Sequence, residues 1–244
     1  MGYAVVSCHV EQPLDDRCWS LLSALRARCP GGFRIAALLR PPHAEAGEDG
    51  ERWLVRARTA AEHGPVGHHT HFVGPRHARP AEPGPQHAER VRREAEWLRS
   101  RGLELRLFCG GGWYMDEDVA RVLAELGYAD CTATSFRPGY LGPDAPRLEL
   151  ADPAWLLVGG DRLLALPSTH SLGMAARATL AGALPELVHV YFHDTDLLNP
   201  LRRLALAVTL RALSLRATPT DLDQLAAEVA AAAPEIPFSA ACAP

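Results

Sequence analysis

Residues 66 to 74, VGHHTHFVG, place His68, His69 and His71 within four positions. Neutral imidazole is a good ligand for zinc and other borderline divalent ions, so this density points to a metal more than to a solvated loop. Two distant stretches carry residues of the same competence. HVEQPLDD sets His9 and Glu11 ahead of Asp15 and Asp16, and VYFHDTD sets His193 ahead of Asp194 and Asp196. A carboxylate near His9 offers a hard anionic ligand, with a neighbour to accept a proton. Asp15 and Asp16 suit a helix N-terminus equally well, where negative charge complements the dipole. If residues 68 to 71 are a strand, His69 and His71 share a face; in a helical turn His68 and His71 do, so both pairings stay open. His193 ends an apolar alternation, with Asp196 the better placed carboxylate partner and Asp194 free to orient another group. His189 reads as a core residue, and His43, His63, His77 and His87 as loop or exposed helix positions without a role.

The elements that must position these groups alternate between strand and helix. YAVVSCHV (3 to 10), FRIAALLR (33 to 40), LELRLFCGGG (103 to 112) and ELVHVYFHDTD (186 to 196) read as strands, and WLLVGGDRLLALPS (155 to 168) as two more around a Gly-Gly turn. Helical patterns cover CWSLLSALRARC (18 to 29), residues 51 to 62, residues 87 to 102, MDEDVARVLAELGY (115 to 128) and PLRRLALAVTLRALSLR (200 to 216). A final helix is expected to open with Thr218 as cap and Pro219 at its first position. Six or seven βα units without an internal repeat imply an α/β barrel or an open α/β sheet, in which chemistry belongs at the carboxyl ends of strands. His9 with Glu11, His69 with His71, and His193 with Asp194 all fall at such ends.

Composition narrows the function. The chain has 244 residues, suited to one large domain, with 48% hydrophobic and 22% charged residues, enough for a sizeable core. All 25 basic residues are arginine. Without lysine, Schiff-base aldolases, pyridoxal-phosphate enzymes and P-loop hydrolases are excluded. A net charge of −4 argues against nucleic acid as a partner. No apolar run is long enough to span a membrane, so no membrane partner is expected, and the start MGYAVVSCHV lacks the basic region of a secretory signal, which suggests a cytoplasmic protein. The six cysteines show neither a disulfide pattern nor a thiolate zinc spacing.

Together SCHVEQP (7 to 13), GHHTHF (67 to 72), LFCGGGWYMDEDVARVLAELGY (107 to 128) and VYFHDTDLL (190 to 198) resemble, in order and spacing, the motifs of NodB-type polysaccharide deacetylases, the family 4 carbohydrate esterases. The resemblance covers roughly residues 3 to 200. It implies a single domain over 1–244, a distorted (β/α) barrel with a helical C-terminal extension at about 199–235. It further implies a metal-dependent hydrolase of an amide bond. Glu11, His69 and His71 would hold one divalent metal ion, zinc; His9 or Asp15 would take a proton from water; and His193, supported by Asp196, would protonate the departing amine. Gly111 with neighbouring backbone N–H groups would hold the oxyanion, and Trp113 and Tyr114 would offer flat faces to a sugar ring. The implied substrate is a small acylated amino sugar or glycoconjugate made inside the cell. The chain departs from the family where His9-Val10-Glu11 replaces adjacent aspartates, where Val73 stands at the second histidine position, and near Cys109, where an arginine is usual. Two alternatives arise from these departures and from Cys109: a barrel without turnover that binds carbohydrate or a partner, and a cysteine-nucleophile enzyme indifferent to chelators.

Overall fold

The computed structural model describes residues 2–142, 144–182 and 184–242. In chain order the elements are β1 (Tyr3–Val10), α1 (Asp16–Arg28), β2 (Ala36–Leu39), α2 (Gly50–Ala61), β3 (Val66–Thr70), α3 (Pro85–Ser100), β4 (Leu107–Gly110), α4 (Glu117–Leu126), β5 (Ala129–Asp130), β6 (Ala154–Val158) and β7 (Asp161–Ala165). They continue as β8 (His170–Ser171), α5 (Leu172–Ala181), β9 (Leu187–His193), α6 (Pro200–Ser214), β10 (Thr218–Pro219), α7 (Leu222–Val229), β11 (Glu235–Pro237) and α8 (Phe238–Ala241). The fold is α/β with mostly parallel strands. Backbone contacts divide it into two compact units: the first runs to Val66 and resumes from Ser168 to Leu225, and the second takes Gly67–Pro167 together with the chain from Ala226 onward.

In the first unit β1 lies between β2 and β9, parallel to both, and β8 lies beside β9. From Ala4 to Val10 every residue of β1 is buried, as expected of a parallel strand covered on both faces. The parallel register pairs His9 with His193, so the two histidines leave the sheet at the same end. Helix α1 starts where Asp15 accepts the backbone N–H of Cys18 at 2.8 Å, and α2 where Asp49 accepts that of Arg52. Arg26, buried on the inner side of α1, donates to the carbonyls of Ile35, Ala60 and Pro65 at 2.8 to 3.1 Å, tying the ends of three segments to one guanidinium. Thr218 and Pro219 do not open a helix as expected. They pair with Tyr3 and Ala4 as β10, held by bonds from Thr218 N–H to Gly2 and from Thr220 N–H to Ala4, and α7 begins after Asp221, which accepts from Gln224.

The second unit orders its strands β3, β4, β5, β7, β6, β11. All pairs are parallel except β6 with β7, the hairpin expected around Gly159-Gly160. Its core gathers Val91 and Ala95 of α3, Val119 and Leu123 of α4, and Phe72, Phe108 and Leu156. Asp116 caps α4 and Gly127, at φ 74°, ends it. The Pro-rich stretch before α3 is fastened by Arg79, which donates to the carbonyls of Gly112 (2.8 Å) and Pro146 (2.9 Å) and lies over the Tyr114 ring. Among the described residues, no helix is long and apolar enough to cross a membrane.

Candidate metal centre

At the carboxyl ends of β1 and β9, the His9 ring stacks on Tyr191 at 5.4 Å and meets His193 edge-on at 5.3 Å. His9 is buried. His193, 38% exposed, brings its Nε2 within 3.8 Å of Glu11 Oε1. Asp194 is wholly buried and accepts the backbone N–H groups of Glu11 (3.2 Å), Gln12 (2.9 Å) and Thr195 (2.8 Å), so the end of β9 shapes the loop that carries Glu11. Burial pushes the Asp194 carboxyl up to about 6 in spite of those bonds. The Asp196 carboxylate accepts the His193 backbone N–H at 3.1 Å, as the third residue of the one-turn helix that opens at His193, and pairs with Arg202. Asp15 is spent as the α1 cap.

At the end of β3, His69 is buried and faces Cys109 across the ladder. Its Nδ1 stands 3.0 Å from the Cys109 carbonyl. A carbonyl only accepts, so Nδ1 carries the proton and Nε2 keeps the lone pair, the arrangement that presents a histidine to a metal. His71 is held in the same way at 3.2 Å from the Pro75 carbonyl, its ring edge-on to His69 at 5.1 Å. The strand conformation resolves the ambiguity between His68 and His69. His68 points to the opposite face, where Nε2 lies 2.9 Å from Glu94 and 3.0 Å from Thr70 Oγ1, and Nδ1 lies 3.3 Å from the Tyr128 hydroxyl. Burial raises the Glu94 carboxyl, but bonds from His68 and Thr70 and the charges of His68 and Arg90 outweigh it and hold it below its ordinary value.

After β4, residues Gly111 to Trp113 form a single helical turn whose last residue, Trp113, sits at φ 61°, and Gly112 at φ 62°. A Cβ on Gly111 would lie 2.6 Å from the Thr70 carbonyl, so only glycine fits there. The N–H of Gly110 is used by Thr132 Oγ1 at 2.7 Å. Tyr114 does not offer a face to a ligand: it has no exposed surface, its ring packs against Phe72 at 4.9 Å and His87 at 5.2 Å, and its hydroxyl binds Asp116. Trp113 is 5% exposed and edge-on to Phe136. Cys109, whose thiol would need to be reachable to act as a nucleophile, is fully buried.

His9 and Glu11 in the first unit and His69 in the second each offer one atom of the kind a divalent metal takes. They are the candidate metal ligands. The set differs from the expected one in one place: His9, which the sequence suggests as a base, takes the role expected of His71. Sequence reasoning misses Tyr191, although its position two residues before His193 puts it on the same face of the strand. It also misses Glu94, whose place on α3 carries no signal of the His68 contact.

No protein-family model matches the chain, and no curated protein does. Solved structures match over most of its length at low identity. The 4-alpha-glucanotransferase of Thermococcus litoralis aligns with a TM-score of 0.57 at 12% identity, over 93% of this chain and 38% of that one. The chain thus spans little more than a third of that enzyme's length. The family 4 carbohydrate esterase of Streptomyces lividans aligns at 0.49 and 14% identity, covering 88% of each chain. A Bordetella bronchiseptica protein described as a polysaccharide deacetylase involved in O-antigen biosynthesis aligns at 0.48 and 13%, over 87% and 90%. The likeness is one of fold.

Proposed function

We propose that the chain is a metal-dependent deacetylase that removes an acyl group from an N-acylated amino sugar or glycoconjugate, using one divalent ion, zinc, held by His9, Glu11 and His69. The observation that carries this reading is the donor set itself. Two imidazoles and a carboxylate are the ligand types of a catalytic zinc, and the His69 tautomer is already fixed by Cys109. A bound divalent cation supplies Lewis acidity for an acyl oxygen and lowers the pKa of a bound water. The chain's own residues do the rest. His193, half-buried at the end of its strand with its Nε2 3.8 Å from Glu11 Oε1, is placed to pass a proton to a departing amine. Asp194 keeps Glu11 in place by holding the loop's N–H groups. Backbone around Gly111 lies next to the end of β3, where it suits an oxyanion.

The test is elemental analysis of purified protein, wild type and His69→Ala, with a chelator titration against release of acetate from N-acetylated amino sugars. About one equivalent of metal is expected, lost with His69, and turnover is expected to fall by at least a hundredfold in the variant and on chelation. Turnover by metal-free wild type would overturn the proposal.

A further inference from the structure

We propose that the first unit rests against an anionic lipid bilayer through α6 and the groove between α6 and α1. Helix α6 is apolar on two sides. Leu206, Leu210 and Leu213 face the core, while Leu201, Leu204, Val208 and Leu215, spaced by three, four and seven residues, share the opposite face at 56 to 80% exposure. Leu180, at the end of α5, which packs on α6, is 88% exposed. Scattered exposed leucines are ordinary, but a row along one helix marks a contact surface.

The charge of the same surface names the contact. Residues 17–28, 167–182 and 197–220 contain no aspartate or glutamate and carry seven arginines besides the buried Arg26, in a chain whose net charge is −4. The acids that adjoin these stretches are paired, Asp16 with Arg52 and Arg56, Asp196 with Arg202 and Asp221 with Arg34. Arg28, Arg203 and Arg211 form no ion pair among the described residues and line a groove of about 380 Å³ together with Leu21, Leu25 and Leu204. A second copy of the chain meeting this face isologously would set arginine against arginine. An acidic helix seated in the groove would leave Leu201, Val208 and Leu215 in water, because they do not line it. A bilayer accommodates all of them: the aliphatic row enters the acyl boundary while the guanidiniums reach up to phosphate. The lack of a spanning helix bears on crossing a bilayer, not on lying against one.

The experiment is flotation of the full chain with phosphatidylcholine vesicles, with and without 30% phosphatidylglycerol, for wild type, Leu204→Glu and Leu215→Glu. Both substituted side chains are mostly in water, so far-UV circular dichroism and the melting temperature should not change. Wild type is expected to bind the anionic vesicles, with partitioning at least tenfold lower on neutral vesicles, in 0.5 M salt, or in either variant. The proposal fails if anionic vesicles do not capture the protein, or if the variants bind as well as wild type. It fails equally if sedimentation shows a dimer that Leu204→Glu dissociates, or if an acidic amphipathic peptide binds more tightly than the vesicles.

Discussion

Replacing Asp130 by asparagine isolates one buried charge in the second unit. Asp130, at the end of β5, has no exposed surface and accepts the backbone N–H groups of Thr132 (2.9 Å) and Ala133 (3.2 Å). Burial nonetheless prevails and pushes its carboxyl from 3.8 up to about 6. That displacement corresponds to on the order of 3 kcal/mol. The sign comes from proton uptake: between the two values the folded chain holds a proton that the unfolded chain has lost, so this group's contribution to stability falls as pH rises from about 4 to about 6.5. Asparagine does not titrate. The stability of wild type minus that of Asp130→Asn is therefore expected to decline by roughly 2.4 kcal/mol from pH 4 to pH 7, by urea unfolding followed with circular dichroism. Groups common to both proteins cancel in the difference. A difference that is flat or rises with pH would refute the reasoning, and would mean that the two N–H bonds outweigh burial.

Asp194→Asn leaves one of the Glu11 and Gln12 N–H groups without its acceptor, and zinc affinity is expected to fall roughly 10- to 100-fold, measured by competition with a chromogenic chelator; unchanged affinity would show that the loop holds Glu11 unaided. Arg26→Met removes three charge-assisted bonds to buried carbonyls, of which those of Ala60 and Pro65 keep the N–H groups of His63 and Ala37, and is expected to cost about 3 kcal/mol, or roughly 6 to 12 °C in Tm by calorimetry. A loss below about 1 kcal/mol would mean that water replaces the guanidinium.

The α/β architecture is legible in the sequence because the apolar runs and helical faces are strong: β1 occupies Tyr3–Val10 as expected, and the hairpin turns at Gly159-Gly160. Strand ends locate His9, Glu11, His69 and His193 for the same reason. The direction of individual side chains and the assignment of caps are not legible. Asp15 and Asp196 carry the same residue type as a catalytic acid, and only the position of a helix start decides that they cap. Thr218-Pro219 looks like a helix opening, yet the exposed edge at the start of β1 captures it as a strand. In sequence Tyr114 suggests a ligand face and His87 an exposed position, but they pack on each other, because the return of the chain after β4 brings α3 and the glycine turn together. Such contacts join residues far apart in sequence and leave no local pattern.

Trp113 occupies a backbone conformation that a large side chain avoids, at a cost of roughly 1–2 kcal/mol. Its neighbours enforce it: Arg79 grips the Gly112 carbonyl and Phe136 stands against the indole. The segment Gly-Gly-Trp therefore borrows its form from surrounding residues and would relax to another shape in an isolated peptide. Mild denaturant should release this corner before the strands around it part.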